Sequence, residues 1–382
     1  MSTAPVHPPP DSEPEPDRIV ARGPGELLAL VPYLFGFHPG DSVVLLEVRA
    51  PGPDGRRLLG FAARVDLPPS AEPHLVTAAT GPLVRTAHRR TGAGAQVHLL
   101  VHDPDAHEVD GALVPGARAR ATVAHLRQAL RRLPTGAELG DVLLVGEDRW
   151  RSLTCERPCC PPAGAPRSGA GAGRVVAEAV WRGLTTAPDR AASLPGTSPV
   201  DPARREAATR GRRRVPSDPV ALVAAFDAAV RERPLTGVPA LPDPTWCGRV
   251  LEGLRDTAVR DAVLLAGGAG AATDRARAAL LTGGGEPPPD GERVGDLLER
   301  ALGEDFELPR ALAAAGLAVD VARHATGPLA APAWTVAGWL EWRSGRGARA
   351  AVCVEQALRH DPGHRLAVLV DRALRLGLAP HR

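Results

Sequence analysis

Lysine and asparagine are both missing from this sequence, so all 46 basic side chains among its 382 residues are arginines. Gly, Ala, Pro and Arg are abundant, the pattern of a GC-rich genome using GC-rich codons. The arginine content is therefore read as codon bias. An excess of one charge sign is also lacking: 44 acidic residues leave a net charge of only +2. A nucleic-acid binder usually concentrates a large basic excess on one domain, so the balance argues against that partner. No apolar run reaches the length of roughly 18 residues that a membrane-spanning helix needs. The segment from Met1 to Asp17 is rich in Pro, Glu and Asp and has no apolar stretch of the secretory kind. It is expected to be a disordered leader, residues 1–17. Cysteine is scarce, five in all. With no export signal, reduced thiols and a cytoplasmic location are expected. The absence of lysine also bears on the Gly-rich stretches at Gly169-Ala-Gly-Ala-Gly, Gly267 to Gly270 and Gly283 to Asp290. None ends in Gly-Lys-Ser/Thr, and none follows a strand, so a phosphate-binding loop is not supported.

What is present organises the chain into two parts. Hydrophobic residues make up 44%, enough for real cores. A short helix from Gly25, with Leu27, Leu28, Val31 and Leu34 at helical spacing, leads into the breaker-rich turn His38-Pro-Gly-Asp-Ser. Val43 to Val48 and Leu58 to Val65 read as two strands joined through Asp54-Gly55, a hairpin signal. Helices and strands then alternate: helix Leu75 to Arg90, strand Gln96 to His102, helix Ala117 to Leu133, strand Asp141 to Val145, helix Val175 to Leu184. Strands separated by helices imply parallel crossovers with helices on both faces. Residues 18–195 are thus expected to form an α/β domain, a mostly parallel sheet with an N-terminal antiparallel hairpin. Residues 196–216 hold six arginines and almost no apolar side chains, the composition of a solvated linker. Residues 217–382 read as an all-α helical domain, with Ser217 as the N-cap of its first helix. Its helical stretches are Trp246 to Ala266, Thr273 to Leu281, Glu292 to Leu302 and Leu308 to Arg323. Near its end Trp334, Gly338, Ala350, Ala357 and Pro362 fall at the offsets of one tetratricopeptide-like helical hairpin, followed by a helix from Arg365 to Leu376. One copy cannot bury its own face, so it must dock on the helices before it.

The topology predicts where chemistry would collect. An antiparallel hairpin places the start of the first strand beside the end of the second. That brings His38, Asp41 and Ser42 next to Arg64 and Asp66. If the second strand and the next two run the same way, their carboxyl ends add His102 and Asp103, then Glu147, Asp148, Trp150 and Arg151 to the same edge. Open α/β sheets bind ligands at that edge. His, Ser, Arg and carboxylates are the types used for proton transfer and for holding anions. Residue types of this kind also occur at strand ends merely because strands end in loops. A Ser-His-Asp reading of Ser42, His38 and Asp66 lacks the Gly-x-Ser-x-Gly elbow. A second cluster comprises Cys155, Cys159 and Cys160. It suits packed thiols, a redox pair, or zinc with a fourth ligand from elsewhere, but it is not a Cys-x-x-Cys knuckle. Cys247 and Cys353 fall in expected helices and read as core. No cofactor and no metal is assigned.

Three groups of residues carry a resemblance. They are Val31-Pro-Tyr-Leu-Phe-Gly-Phe-His-Pro-Gly-Asp-Ser-Val-Val with Arg64-Val-Asp; Arg149-Trp-Arg-Ser-Leu-Thr-Cys with Cys159-Cys-Pro-Pro-Ala-Gly; and Val259-Arg-Asp with Trp339, Gly345, Ala357-Leu and Asp361-Pro-Gly. On these the chain resembles DUF4192, a family of actinobacterial proteins catalogued as a domain of unknown function. The resemblance spans nearly everything beyond the leader and weakens in the linker and the Gly/Pro-rich loops. It implies one protein of two parts and no particular activity. Three functions fit the residues. The first is a ligand-binding or regulatory protein, holding a small anionic ligand at the strand-end edge and a protein partner at the helical domain. The second is a hydrolase or transferase acting on an anionic metabolite. There Arg64 would hold the anion, and His38 with Asp66 or Asp41 would move protons. The third is a thiol or zinc protein built on the cysteine cluster.

Overall fold

A computed structural model describes residues 19–133, 136–155, 157, 160–168, 172–182, 184–193, 197–213, 218–234, 239–269, 281 and 306–378. The expected leader lies outside them, as do Ser217, Cys159, the Gly283 to Asp290 loop and, Leu281 apart, the expected helices Thr273 to Leu281 and Glu292 to Leu302.

The first part is the expected α/β domain. Its strands are β1 (Ser42–Val48), β2 (Leu59–Asp66), β3 (Gln96–His102), β4 (His107–Val109), β5 (Ala112–Val114), β6 (Glu138–Val145), β7 (Arg149–Ser152) and β8 (Ala165–Pro166). The main sheet runs in the order β2-β1-β3-β6-β7-β8, and β4 pairs with β5 in a separate ribbon. β1 is antiparallel to both β2 and β3, and β3 is parallel to β6, so β2, β3 and β6 all point one way. β1 reads Ser-Val-Val-Leu-Leu-Glu-Val and is buried along nearly its whole length, as a strand covered on both faces must be. The helices of this part are α1 (Pro24–Phe35), α2 (Pro73–Arg90), α3 (Ala117–Leu130) and α4 (Ala172–Trp181). The side-chain alternation of the strands splits the apolar residues between two cores. Val43, Leu45, Val97, Leu99 and Val101 meet Leu83 and Ala87 of α2 and Val123 and Leu126 of α3. Val44, Leu46, Leu100 and Leu143 meet Leu28 and Val31 of α1. α4 packs beside α1, tied by Arg174 to Glu26 at 2.8 Å. Pro32 lies inside α1, which ends at Gly36 in the left-handed conformation.

The second part contains α5 (Pro202–Arg213), α6 (Pro219–Glu232), α7 (Pro244–Gly253), α8 (Thr257–Gly268), α9 (Leu308–Ala322), α10 (Ala331–Arg343), α11 (Gly347–His360) and α12 (Arg365–Arg375). Three expectations need correction. The Arg-rich stretch 196–216, expected as a linker, carries helix α5. α5 packs on α7 through small residues rather than large apolar ones, which is why composition concealed it. A Cβ on Gly211 would fall 2.2 Å from the Thr245 carbonyl oxygen, and one on Gly248 only 1.9 Å from that of Ala208. The expected single helix Trp246 to Ala266 is two, because the Asp256 side chain accepts from the Ala258 N–H at 2.8 Å and starts α8 afresh. Gly267 and Gly268, expected in a loop, close α8, and Gly267 is packed against Ala314 and Leu340. The cap of α6 is Asp218, whose side chain accepts from Val220 N–H. Gly248→Ala is expected to destabilise the protein by about 2 kcal/mol in urea unfolding, since the added methyl must push two helices apart. At an open helical site the same change would stabilise.

α10 and α11 form a close hairpin. Trp334, Ala350 and Ala357 are buried, and a Cβ on Gly338 would come within 2.9 Å of Val354. The hairpin docks on α8 and α9. The two parts of the chain are joined directly. Arg85 of α2 donates to the Arg375 carbonyl at 3.1 Å, and Arg89 donates to that of Leu376, so two cations meet the carbonyl end of α12. Val200 N–H donates to the Arg323 carbonyl at 3.1 Å, and Arg349 reaches the Ser193 carbonyl at 2.9 Å. No helix among the described residues is long and apolar enough to cross a membrane.

Candidate functional site

The register of the sheet assembles the rim. Ser42 stands opposite Asp66 on one side and His102 on the other; His102 stands opposite Val145, and Val145 opposite Trp150. The segment around His38 and the segment around Trp150 therefore reach one end of the sheet. Ser42, Arg64 and His102 alternate with residues of the α2/α3 core and so lie on the α1 face. Ser42 and His102 are buried and Arg64 is half-buried. Ser42 is wholly covered, His102 is 5% exposed, and the Arg64 side chain is 10% exposed. Among the described residues, Ser42 Oγ, Arg64 Nε and His102 Nε2 have no hydrogen-bond partner. Buried polar atoms are nearly always satisfied, and an unpaired one costs about 1–3 kcal/mol. Three such atoms lie on one face of β1, β2 and β3 at this end of the sheet.

Burial, reinforced by the charges of Arg167, Arg64 and nearby His38, lowers the His102 pKa to about 3, so the ring is neutral at physiological pH. Arg64 is fixed by Gly40, whose carbonyl accepts at 3.1 Å, by Asp66 at 2.7 Å, and by the Phe37 ring 5.5 Å below its guanidinium. His38 is exposed at the mouth, its Nε2 3.3 Å from Thr186 Oγ1, and its backbone N–H is held by the Ala187 carbonyl. Arg167 lies across the rim, donating to the Glu147 carbonyl at 3.0 Å.

The remaining predicted residues divide differently. Asp41 belongs to another contact: Arg118 of α3 bridges it at 2.9 Å to Asp105 at 2.8 Å. Trp150 packs into the α1 core, 3.4 Å from where a Gly25 Cβ would stand. Arg151 donates to the Pro162 carbonyl at 3.1 Å, and the Asp148 carbonyl accepts from Arg167 N–H at 2.9 Å. Trp150 thus serves the α1 face, while Arg151 and Asp148 tie β7 and its start to Pro162 and Arg167. The thiol segment is organised by Asp141, which accepts from Ser152 Oγ at 2.5 Å and from Thr154; Ser152 Oγ in turn accepts from Cys155 N–H at 2.8 Å. Cys155 and Cys160 are half-buried. Among the described residues no group of three potential metal ligands occurs. Cys247 and Cys353 are core residues as expected, and burial pushes the Cys247 thiol up to about 12.

Sequence reasoning missed the residues that reach the rim from elsewhere. Arg190, in the segment after α4, lies 3.7 Å from Asp66 and pairs with Glu355 of α11. A cleft of about 380 Å³ opens there, between Arg64, Asp66 and Arg190 on one wall and Val352, Glu355 and Arg359 on the other. No local pattern marks Arg190 or Arg359, because only the docking of the two parts brings them to the sheet.

The architecture defines an α/β protein whose strand-end rim is overhung by a helical hairpin of the same chain. Residues 24–381 match the family described as Domain of unknown function (DUF4192), and the chain belongs to it. No curated protein and no solved structure matches it.

Proposed function

We propose that this is a ligand-binding protein that holds a small anionic ligand at the strand-end rim, between Ser42, Arg64, His102 and His38. The observation that carries the reading is the set of three buried, unpartnered polar atoms on one face of three neighbouring strands, beside the guanidinium groups of Arg64 and Arg167. Arg64 Nε–H donates, the Ser42 hydroxyl does either, and neutral His102 offers whichever role its tautomer leaves open. This set suits a carboxylate or phosphate oxygen. The α10–α11 pair, with its tetratricopeptide-like spacing, is the part assigned to a protein partner, and the protein is read as a regulatory one of the cytoplasm.

Titration calorimetry with inorganic phosphate, citrate and nucleoside phosphates tests the proposal. Ser42→Ala is the sharpest variant, because it removes a hydroxyl that bonds to nothing in the described protein and so leaves the fold intact. It is expected to weaken binding about tenfold, the value of one hydrogen bond to a charged group, and Arg64→Ala by more. Ligands that bind both variants as they bind the wild type would place the site elsewhere.

A further inference from the structure

β2 is the outermost strand of the sheet, with β1 on one side and no strand on the other. The Leu67 N–H donates to the Asp41 carbonyl at 2.9 Å, which fixes the alternation of the ladder. Counting back from Leu67, Val65 and Ala63 bond to β1, whereas the N–H and C=O groups of Asp66, Arg64 and Ala62 point outward. Among the described residues none of those outward groups has a hydrogen-bond partner. An edge of this kind is a template for another strand unless something guards it. β2 contains no proline, and its one cation, Arg64, folds back onto Gly40 and Phe37 instead of standing over the edge. The rim end of β2, at Arg64 and Asp66, forms one wall of the cleft whose other wall is α11. A strand edge facing a helix across a cleft is the geometry by which a strand-forming peptide is gripped, main-chain bonds on one side and side-chain contacts on the other, once the Arg190 side chain that links Asp66 to Glu355 swings aside.

The charges select the peptide. Arg190 is already matched by Asp66 and Glu355. Arg359 donates at 2.8 Å to Gln356, a neutral group, and no carboxylate among the described residues pairs with it. We propose that the β2–α11 groove binds an extended, acidic peptide segment of another protein as an added strand of the sheet. The peptide's backbone pairs with Ala62, Arg64 and Asp66, and one of its carboxylates meets Arg359. The proposal does not rest on the anion pocket at the rim, since it uses the outer edge of β2 rather than Ser42 or His102.

The test uses the full chain and a random peptide library enriched in Asp and Glu. Selected peptides are resynthesised and titrated by fluorescence anisotropy up to about 1 mM, the weak end of useful affinity. N-methylation is then walked along the best binder. Because strand pairing has a period of two, methylation at alternate residues is expected to weaken binding at least tenfold, and at the intervening residues to leave it unchanged. Arg359→Ala is expected to cost about tenfold as one charged contact is lost, and Ser42→Ala nothing. Ala62→Pro removes an outward N–H, which an edge strand tolerates, and is expected to weaken binding likewise. The proposal is overturned if no peptide binds, if N-methylation shows no two-residue period, or if Ser42→Ala abolishes peptide binding and so moves the peptide to the rim pocket.

Discussion

Replacing His102 with glutamine is expected to flatten the acid side of the stability curve. In the native protein the ring resists protonation down to a pKa of about 3, because burial and three neighbouring positive groups disfavour its charged form. In the unfolded chain it titrates at its ordinary value of about 6.5. Between these values the unfolded state binds a proton that the native state refuses, so stability falls as pH falls through that window and is recovered above it. At about pH 4.5 the gap corresponds to roughly 3 kcal/mol. Urea midpoints measured from neutral to acid pH are expected to drop steeply in the wild type and less so in His102→Gln. His98, His324 and His364 are also lowered by burial and leave a residual slope, so the difference between the two curves is the readout. Parallel curves would mean that His102 accepts its proton in the folded protein and that the interior of the rim is wetter than its packing indicates.

A second large effect is expected in the helical part. Arg233, just after α6, reaches Asp320 of α9 at 2.7 Å, with both side chains only about a tenth exposed at 11% and 10%. Removing one member of a buried pair strands the other charge. Arg233→Ala is therefore expected to cost about 3 kcal/mol in denaturant unfolding. Arg323 lies 3.4 Å from the other oxygen of Asp320 and softens the loss without replacing the contact. Replacing both partners, Arg233→Met with Asp320→Leu, is expected to recover most of that stability, because neither member of the pair is then left as a buried charge and Arg323 keeps its bond to the Ser198 carbonyl. A double variant no better than the single one would show that Arg233 acts through packing, for instance against Gly316, and not through its charge.

Much of the sheet was legible because its signals are local. The β-branched run at Val43, the Asp-Gly turn and the alternation of strands with helices fix the hairpin and the crossovers. From these the expected meeting of Ser42, Arg64, Asp66 and His102 follows by geometry alone; in the register Ser42 stands opposite Asp66 and His102, and Arg64 stands opposite Val44. What failed depended on contacts between distant segments. α5 has no large apolar stripe, since its partner approaches through Gly211 and Gly248, and such packing leaves only small residues in the sequence. Trp150 and Arg151 stand at the expected end of the sheet, but their side chains serve α1 and the Pro162 loop. Strand position tells where a residue sits and not what it touches. Arg190 and Arg359 carried no signal at all, because their place is set by the docking of the second part on the first.

That docking has a consequence for how the molecule is made. The bond from Arg85 to the Arg375 carbonyl spans 290 positions, so the clasp closing the helical part over α2 is among the last contacts a growing chain can form. N-terminal domains generally fold first during synthesis. The sheet thus leaves the ribosome with its outer strand and strand-end rim both uncovered, and α11 comes to face them across the cleft only later. For that interval the nascent protein is most at risk of pairing with a neighbour, and a chaperone would have most to protect.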